Sequence, residues 1–320
     1  MCGRGMNPFK DHNIVYIEQP YQTFATPQNS DINYDYFEQH KNKLVVINFS
    51  SEHWGNFPNH VCAQLSKTDI NFLLLTYDHT AHQQHPRMFY FPHWYYESKN
   101  IIKKISINPG KNYFLGCLNG APRPHRIANF LKLRKKPYWN NTSITFHNGQ
   151  PPLRFGELPL TDDEANEWEE IRYSFPKKPT ASYEFGFELD IPQLSDCYLH
   201  LTTETSIVPG VFITEKTWKP VAAGVPFVMY GNPGTMDFLK SIGVDTYDDV
   251  IDHKYYDNEK DARSRLDKLH KIVDDLVVQG VDKAYTQLSN RIVDNQTKFF
   301  NGGFDTGHQQ TIINAINQYK

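Results

Sequence analysis

The sequence predicts an α/β fold: two successive parallel-sheet halves followed by carboxyl-terminal helices. Three observations lead there. At 320 residues the chain is long for one compact core. Its apolar runs are short, rich in β-branched residues and do not alternate, as strands covered on both faces do not. Most of these runs alternate with segments of helical periodicity.

The elements follow in order. HNIVYIEQ (12–19), KLVVINFS (43–50) and INFLLLTYD (70–78) read as strands, and PNHVCAQLSK (58–67) carries Val61 and Leu65 at helical spacing. SKNIIKKISINPGKN ends in the turn chemistry of Asn108-Pro109-Gly110, which opens a second half. There a strand at 113–118 leads to a helix at 126–133 with Ile127, Phe130, Leu131 and Leu133 on its apolar side. Further strands are expected at 197–203 and 225–231, and helices at 215–223 and 235–243, the last with Thr235 as N-cap. Ala262, Leu266, Leu269, Val273 and Leu276 mark one face of a long helix, and two more helices are expected near 281–300 and 307–319. Residues 137–196 give no regular pattern. The resulting division is 1–105, 106–285 and a pair-spanning helical segment, 286–320.

Composition excludes several classes. No run approaches the roughly 18 apolar residues of a spanning helix, and mean hydropathy is −0.60. The opening MCGRGMNPFKDHN lacks an apolar core, so no cleaved secretory signal is expected and the cytoplasm is the expected location. Cys2, Cys62, Cys117 and Cys197 form no CxxC pair and suit reduced thiols. A formal charge of −3 gives no overall attraction to nucleic acid.

The chemistry concentrates where strands end, because ligands of open α/β sheets lie beyond the carboxyl ends of the strands. In VFITEKTWKPVAAGVPFVMYG (211–231), Thr214 is a fair N-cap, which puts Glu215 and Lys216 in the first helical turn. The free N–H groups and dipole there favour an anion. Glu215 also complements the dipole as an ordinary first-turn acid. Lys216 does not, unless an anionic ligand accompanies it.

ITEKTWKPVAAGVPFVMYG resembles the T-E-K signature of the α1,3-fucosyltransferases, inverting glycosyltransferases of the GT-B architecture. CYLHLTTETS (197–206) is similar to the family's strand ending in F-E-N-S, with Glu204 and Ser206 in step and Thr205 in place of asparagine. NYFLGCLNGAPRPHRIANFL puts Arg126 on the family's helix-leading arginine. LLLTYDHTAHQQHPRMFYFPHW and VVINFSSEHW resemble two further blocks of its acceptor domain.

The resemblance implies two Rossmann-like domains facing a cleft: 1–105 on the acceptor side, 106–285 binding the nucleotide sugar, and 286–320 packing across both. Lys216 and Arg126 would grip the diphosphate, Glu215 the ribose hydroxyls, and Arg123, Glu204, Ser206, Phe212 and Thr214 would complete the donor site. Glu52, just past the second strand and followed by His53 and Trp54, would be the base that inversion requires. His53, Trp54, His79 and Trp94 would meet the acceptor. Phe212 replaces the family's usual tyrosine, so GDP-fucose is the default donor rather than a fixed one. No cofactor beyond the co-substrate and no metal is expected, since there is no D-x-D motif; Asp248-Asp249 and Asp274-Asp275 read as caps or solvated faces.

Other signals compete. His79, His82 and His85 have the HxxHxxH spacing of a metal site, but Gln83-Gln84 and Pro86 favour a solvated loop. FYFPHWYYES (89–98) fits stacking on sugar faces or splayed bases, or the commoner filling of a domain interface. LKLRKKPYW (131–139) fits a phosphate backbone or the solvated end of a helix. The leading expectation is therefore a metal-independent glycosyltransferase acting on a glycan or lipid-linked sugar. A hydroxylated base of viral DNA is the alternative acceptor, and a non-catalytic nucleotide- or carbohydrate-binding protein is the alternative class.

Overall fold

The structure, a computed structural model, describes residues 9–10, 12–18, 34–51, 56–107, 110–146, 158–173 and 194–319, apart from the side chain of His82. The chain forms two compact units: Met1–Glu97 with Asp305–Lys320, and Ser98–Phe304.

The first unit holds β1 (Val15–Ile17), α1 (Tyr34–Glu38), β2 (Val45–Asn48), α2 (Phe57–Leu65), β3 (Phe72–Thr76), α3 (Ala81–Gln84), β4 (Met88–Tyr90) and the start of α4 (His93–Ile101). Its strands pair in parallel in the order β1-β2-β3-β4. Every residue of β2 and β3 is buried, which explains why their apolar residues do not alternate with polar ones. Val45, Ile47, Phe72 and Leu74 point into one core with Val61 and Leu65 of α2. Val46, Leu73 and Leu75 point into the other, where Ile312, Ala315 and Ile316 of α12 (His308–Tyr319) cover them.

The second unit holds β5 (Tyr113–Leu118), α5 (Pro124–Arg134), β6 (Thr142–Thr145), α6 (Asp162–Ile171), β7 (Cys197–Thr203), α7 (Glu215–Ala223), β8 (Phe227–Tyr230), α8 (Thr235–Ser241), α9 (Lys254–Asp257), α10 (Ala262–Gln279) and α11 (Val281–Asn301). Its parallel sheet runs β6-β5-β7-β8. After β5 the chain adds β6 on one side and then returns to add β7 on the other. The topological switch point therefore lies between β5 and β7, where a doubly wound sheet opens a crevice at its carboxyl edge.

Several boundaries differ from those the sequence predicts. The first unit ends inside α4 rather than at 105. Helix α11, whose stripe of Tyr285, Leu288 and Ile292 joins the core of β7 and α10, belongs wholly to the second unit. Only α12 returns to the first, so 286–320 is not one segment. Gly234, at φ 80°, caps α8 in place of Thr235, which is the first helical residue and donates its hydroxyl to Asn232 O at 2.7 Å. The unread region contains α6, which opens with a capping box between Thr161 and Glu164. Cys62, Cys117 and Cys197 are buried free thiols.

Candidate functional site

Helix α7 starts where Glu204, the first residue after β7, holds it. Glu204 is fully buried. One carboxylate oxygen accepts from Thr214 N at 3.0 Å and Thr217 Oγ1 at 2.6 Å; the other accepts from Thr205 N at 2.9 Å and Thr214 Oγ1 at 2.6 Å. Thr214 and Thr217 lie three apart, one turn of helix, so a single carboxylate reaches both. Thr214 is the N-cap, its hydroxyl 3.4 Å from Lys216 N. At the far end Gly224 adopts φ 67°, and a Cβ there would meet Ile107 at 2.6 Å. Trp218 stacks on Phe299 and Phe304 at 6.0 and 5.8 Å and fixes the helix from below.

Two arginines, Arg123 at the N-cap of α5 and Arg126 in its first turn, meet the same point. Arg123 donates to Thr205 O at 2.7 Å, while Arg126 donates to Ala121 O at 3.2 Å and Glu204 O at 3.1 Å. His125 Nε2 lies 3.0 Å from Glu204 O. Arg126 is 2% exposed, and its Nε is buried without a hydrogen-bond partner. Burial, with Arg123 beside it, draws the Arg126 guanidinium down to about 10 against the pull of Glu204 and Glu215.

Lys216 Nζ contacts Glu215 Oε1 at 2.5 Å and Thr214 Oγ1 at 3.5 Å. Burial lowers the Lys216 ammonium and Arg126 adds to that, while Glu215 opposes both. Burial pushes Glu215 up, but Lys216, Lys219 and hydrogen bonding together hold it at about 2. The first-turn cation is thus partnered by its neighbouring acid, a pairing the sequence expectation did not include.

Four cations, Arg123, Arg126, Lys216 and Lys219, face two carboxylates, Glu204 and Glu215. His125, driven well below its ordinary value by burial and Arg126, adds no charge. Among the described residues, cations and the free N–H groups of α7 thus gather at the carboxyl edge of the switch point. Such an arrangement favours an anion.

The remaining predicted residues fall as follows. Ser206 is buried, with Asn232 Nδ2 3.4 Å from its hydroxyl. The same Asn232 accepts from Phe212 N at 3.0 Å and donates to Val208 O at 2.5 Å, so it shapes the loop before α7. Phe212 is buried in the interior. Trp94 is half-buried and donates its indole N–H to Ser51 O at 3.1 Å; His79 is exposed beyond β3. Glu52, His53 and Trp54 lie outside the described residues.

Two competing signals change meaning. His85 uses both ring nitrogens, Nε2 toward Ser66 Oγ at 3.3 Å and Nδ1 toward Arg87 N at 3.2 Å. Among the described residues no group of three or more His, Cys, Asp or Glu side chains is placed to hold a metal. The basic stretch is paired: Lys132 with Asp267, Arg134 and Lys135 with Glu167 at 3.7 and 2.7 Å, and Lys136 with Asp274 at 2.5 Å. Three carboxylates of α6 and α10 thus face the four cations, which offsets most of the stretch's charge. Asp248, Asp249 and Asp275 are likewise paired, with Lys240, Arg291 and Lys271.

Sequence reading missed Thr217, Lys219 and Asn232. Asn232 precedes Pro-Gly, a turn signal, but its bonds to 208 and 212 depend on how β7 and β8 pair. No protein-family model and no curated protein matches the sequence. Among solved structures the chain is similar to the DNA-modifying enzyme β-glucosyltransferase, described with and without uridine diphosphoglucose. Identity is 12%, with 85% of this chain and 74% of that chain covered, and the TM-score is 0.42, a likeness that assigns no activity.

Proposed function

We propose that the chain is an inverting glycosyltransferase of the GT-B type that moves a sugar from a nucleotide-sugar donor to a hydroxyl acceptor. The observation that carries this reading is the gathering of Arg126, which is 2% exposed with an unpartnered Nε, and half-buried Lys216 at the switch point, beside the Thr214-Glu215-Lys216 helix opening. A diphosphate is the anion that two arginines, a lysine and a helix N-terminus suit. Arg126 and Lys216 face the negative charge that grows on the diphosphate as the glycosidic C–O bond breaks. Each such preorganised donor is worth about 2.7–4 kcal/mol in the transition state, against about 0.3–1 for the helix dipole. Glu215, held ionised, accepts from ribose hydroxyls.

GDP-fucose is the first donor to test, on the resemblance of the T-E-K block, and the acceptor is a glycan or lipid-linked sugar met in the cytoplasm. Charge supplied by side chains makes a metal unnecessary in this reading. Among the described residues no helix is long and apolar enough to cross a membrane. The pairing of Lys132, Arg134, Lys135 and Lys136 with carboxylates weighs against hydroxylated DNA bases as acceptor.

The test is a panel of GDP-fucose, GDP-mannose, UDP-glucose and UDP-galactose, read by release of nucleoside diphosphate. One donor is expected to be consumed slowly in water and faster with glycan acceptors, and Lys216→Ala is expected to lower the rate by about 10²–10³-fold. Consumption of none, with no GDP binding by calorimetry, overturns the reading. Nucleotide binding without turnover favours the non-catalytic class instead.

A further inference from the structure

Glu215 and Lys216 are neighbours in sequence at the opening of α7, and adjacent residues of a helix point about 100° apart rather than toward each other. Lys216 must therefore fold back along its own turn to reach Glu215 Oε1, where Nζ lies at 2.5 Å. Its other partner is weaker. Nζ stands 3.5 Å from Thr214 Oγ1, at the long limit of a hydrogen bond, and that hydroxyl already donates to Glu204 at 2.6 Å. The side chains of Lys216 and Glu215 keep 19% and 16% exposure, so a ligand can reach the pair and part it.

Glu215 does not depend on Lys216 alone. Lys219 follows it by four residues, the spacing at which a helical acid and base share a face, with the acid on the favoured N-terminal side. Lys219 is 9% exposed. Burial pushes the Glu215 carboxyl up, and Lys216 and then Lys219 hold it down at about 2. Arg126, buried with its Nε unpartnered, is a further cation within electrostatic reach of Glu215 and Lys216.

We propose that Glu215 is a specificity-determining residue that withholds Lys216 from a bare polyphosphate and yields it to a diphosphate carrying a ribose, an assignment that rests on the nucleotide-sugar reading above. A diphosphate that takes Lys216 removes from Glu215 the cation bonded to it. Inorganic pyrophosphate offers nothing in return, because ionised oxygens only accept hydrogen bonds and bring a second anion beside the carboxylate. A nucleoside diphosphate brings the 2′ and 3′ hydroxyls, which donate to the released carboxylate, and bonds to a charged acceptor are the strong class. Lys219, on the same face of α7, keeps the carboxylate ionised through the exchange. Charge alone then does not admit a ligand; the ribose completes the recognition.

Calorimetry with inorganic pyrophosphate, GDP and 2′,3′-dideoxy-GDP tests the assignment, GDP giving way to the nucleoside diphosphate of whichever donor the panel identifies. Glu215→Gln is expected to bind pyrophosphate about fivefold tighter than wild type, a gain that a packing defect does not produce. In a Lys216→Met background the same change is expected to bring no gain. Wild type is expected to bind GDP at least about tenfold tighter than dideoxy-GDP, and Glu215→Ala to bind the two alike. The assignment alone falls if wild type binds GDP while Glu215→Gln binds pyrophosphate no tighter than wild type does. It falls equally if the gain persists without Lys216, as plain repulsion between anions would give, or if wild type binds GDP and dideoxy-GDP alike. A wild type that binds no nucleoside diphosphate of the panel removes the donor reading, and this assignment with it.

Discussion

Glu204→Gln replaces one buried oxygen with an NH2 group and leaves size and shape unchanged. Both carboxylate oxygens accept from a backbone amide, Thr214 N at 3.0 Å and Thr205 N at 2.9 Å. Whichever way the new amide turns, its NH2 faces one of those N–H groups. The hydroxyls of Thr214 and Thr217 can rotate to accept, but a backbone donor cannot. One amide is left unsatisfied in the interior, at about 1–3 kcal/mol, and the surviving bonds lose the strength a charged acceptor gives, for a total of about 2–5 kcal/mol. The loss falls on the start of α7, so hydrogen exchange at the amides of Lys216 and Thr217 should quicken beyond any change in α12, which lies in the other unit. GDP affinity should fall in parallel. A variant whose urea unfolding moves by less than about 0.5 kcal/mol, with α7 exchange unchanged, would refute the clamp.

Two further outcomes follow from the same unit. His200 is held down to about 3 by burial and then Lys219, with Nε2 accepting from Leu118 N at 3.4 Å, and His253 is held down to about 4 by burial. Folded values below the unfolded 6.5 mean that the unfolded chain binds the extra protons. Stability is then full above about pH 6.5 and lost as pH falls toward 4, at about 1.4 kcal/mol per pH unit for each group. His200→Gln should flatten that slope by one group's share in urea unfolding from pH 7.5 to 4.5, and an unchanged slope would contradict it. Trp218→Ala should cost about 3–5 kcal/mol, because its ring is 2% exposed between Phe299 and Phe304; a loss under about 1 kcal/mol would show that the contact is not a support of α7.

How far the sequence could be read depended on where each element's information lies. Strands β5 and β7 and helix α7 match their expected limits of 113–118, 197–203 and 215–223, because apolar runs and a Thr cap mark both ends locally. Strand β6 is Thr-Ser-Ile-Thr, half-buried throughout and without an apolar run, so only its pairing with β5 defines it. Strand β4 is three residues long and lay hidden in an aromatic stretch. In that stretch His93 and Glu97 have the i,i+4 spacing of a helical pair, but nothing local distinguishes it from interior filling. Lys216 and Arg126 stood out by type. Asn232 and Thr217 did not, since their roles exist only once β7, α7 and β8 are assembled.

The burial of Arg126 at the switch point bears on whether the cluster is purely structural or binds a ligand. Removing a charge from water costs several kcal/mol unless a partner and hydrogen bonds offset it. Glu204 is offset by four donors and Glu215 by Lys216 and Lys219. Arg126 is not offset to the same degree, since its partners are backbone carbonyls, its Nε has none, and Arg123 stands beside it. A cluster serving stability alone gains from an extra carboxylate here and loses from a second arginine. In the proposed reading, the Arg126 charge is what an incoming polyanion neutralises, and its binding energy then includes relief of a cost already carried by the folded chain.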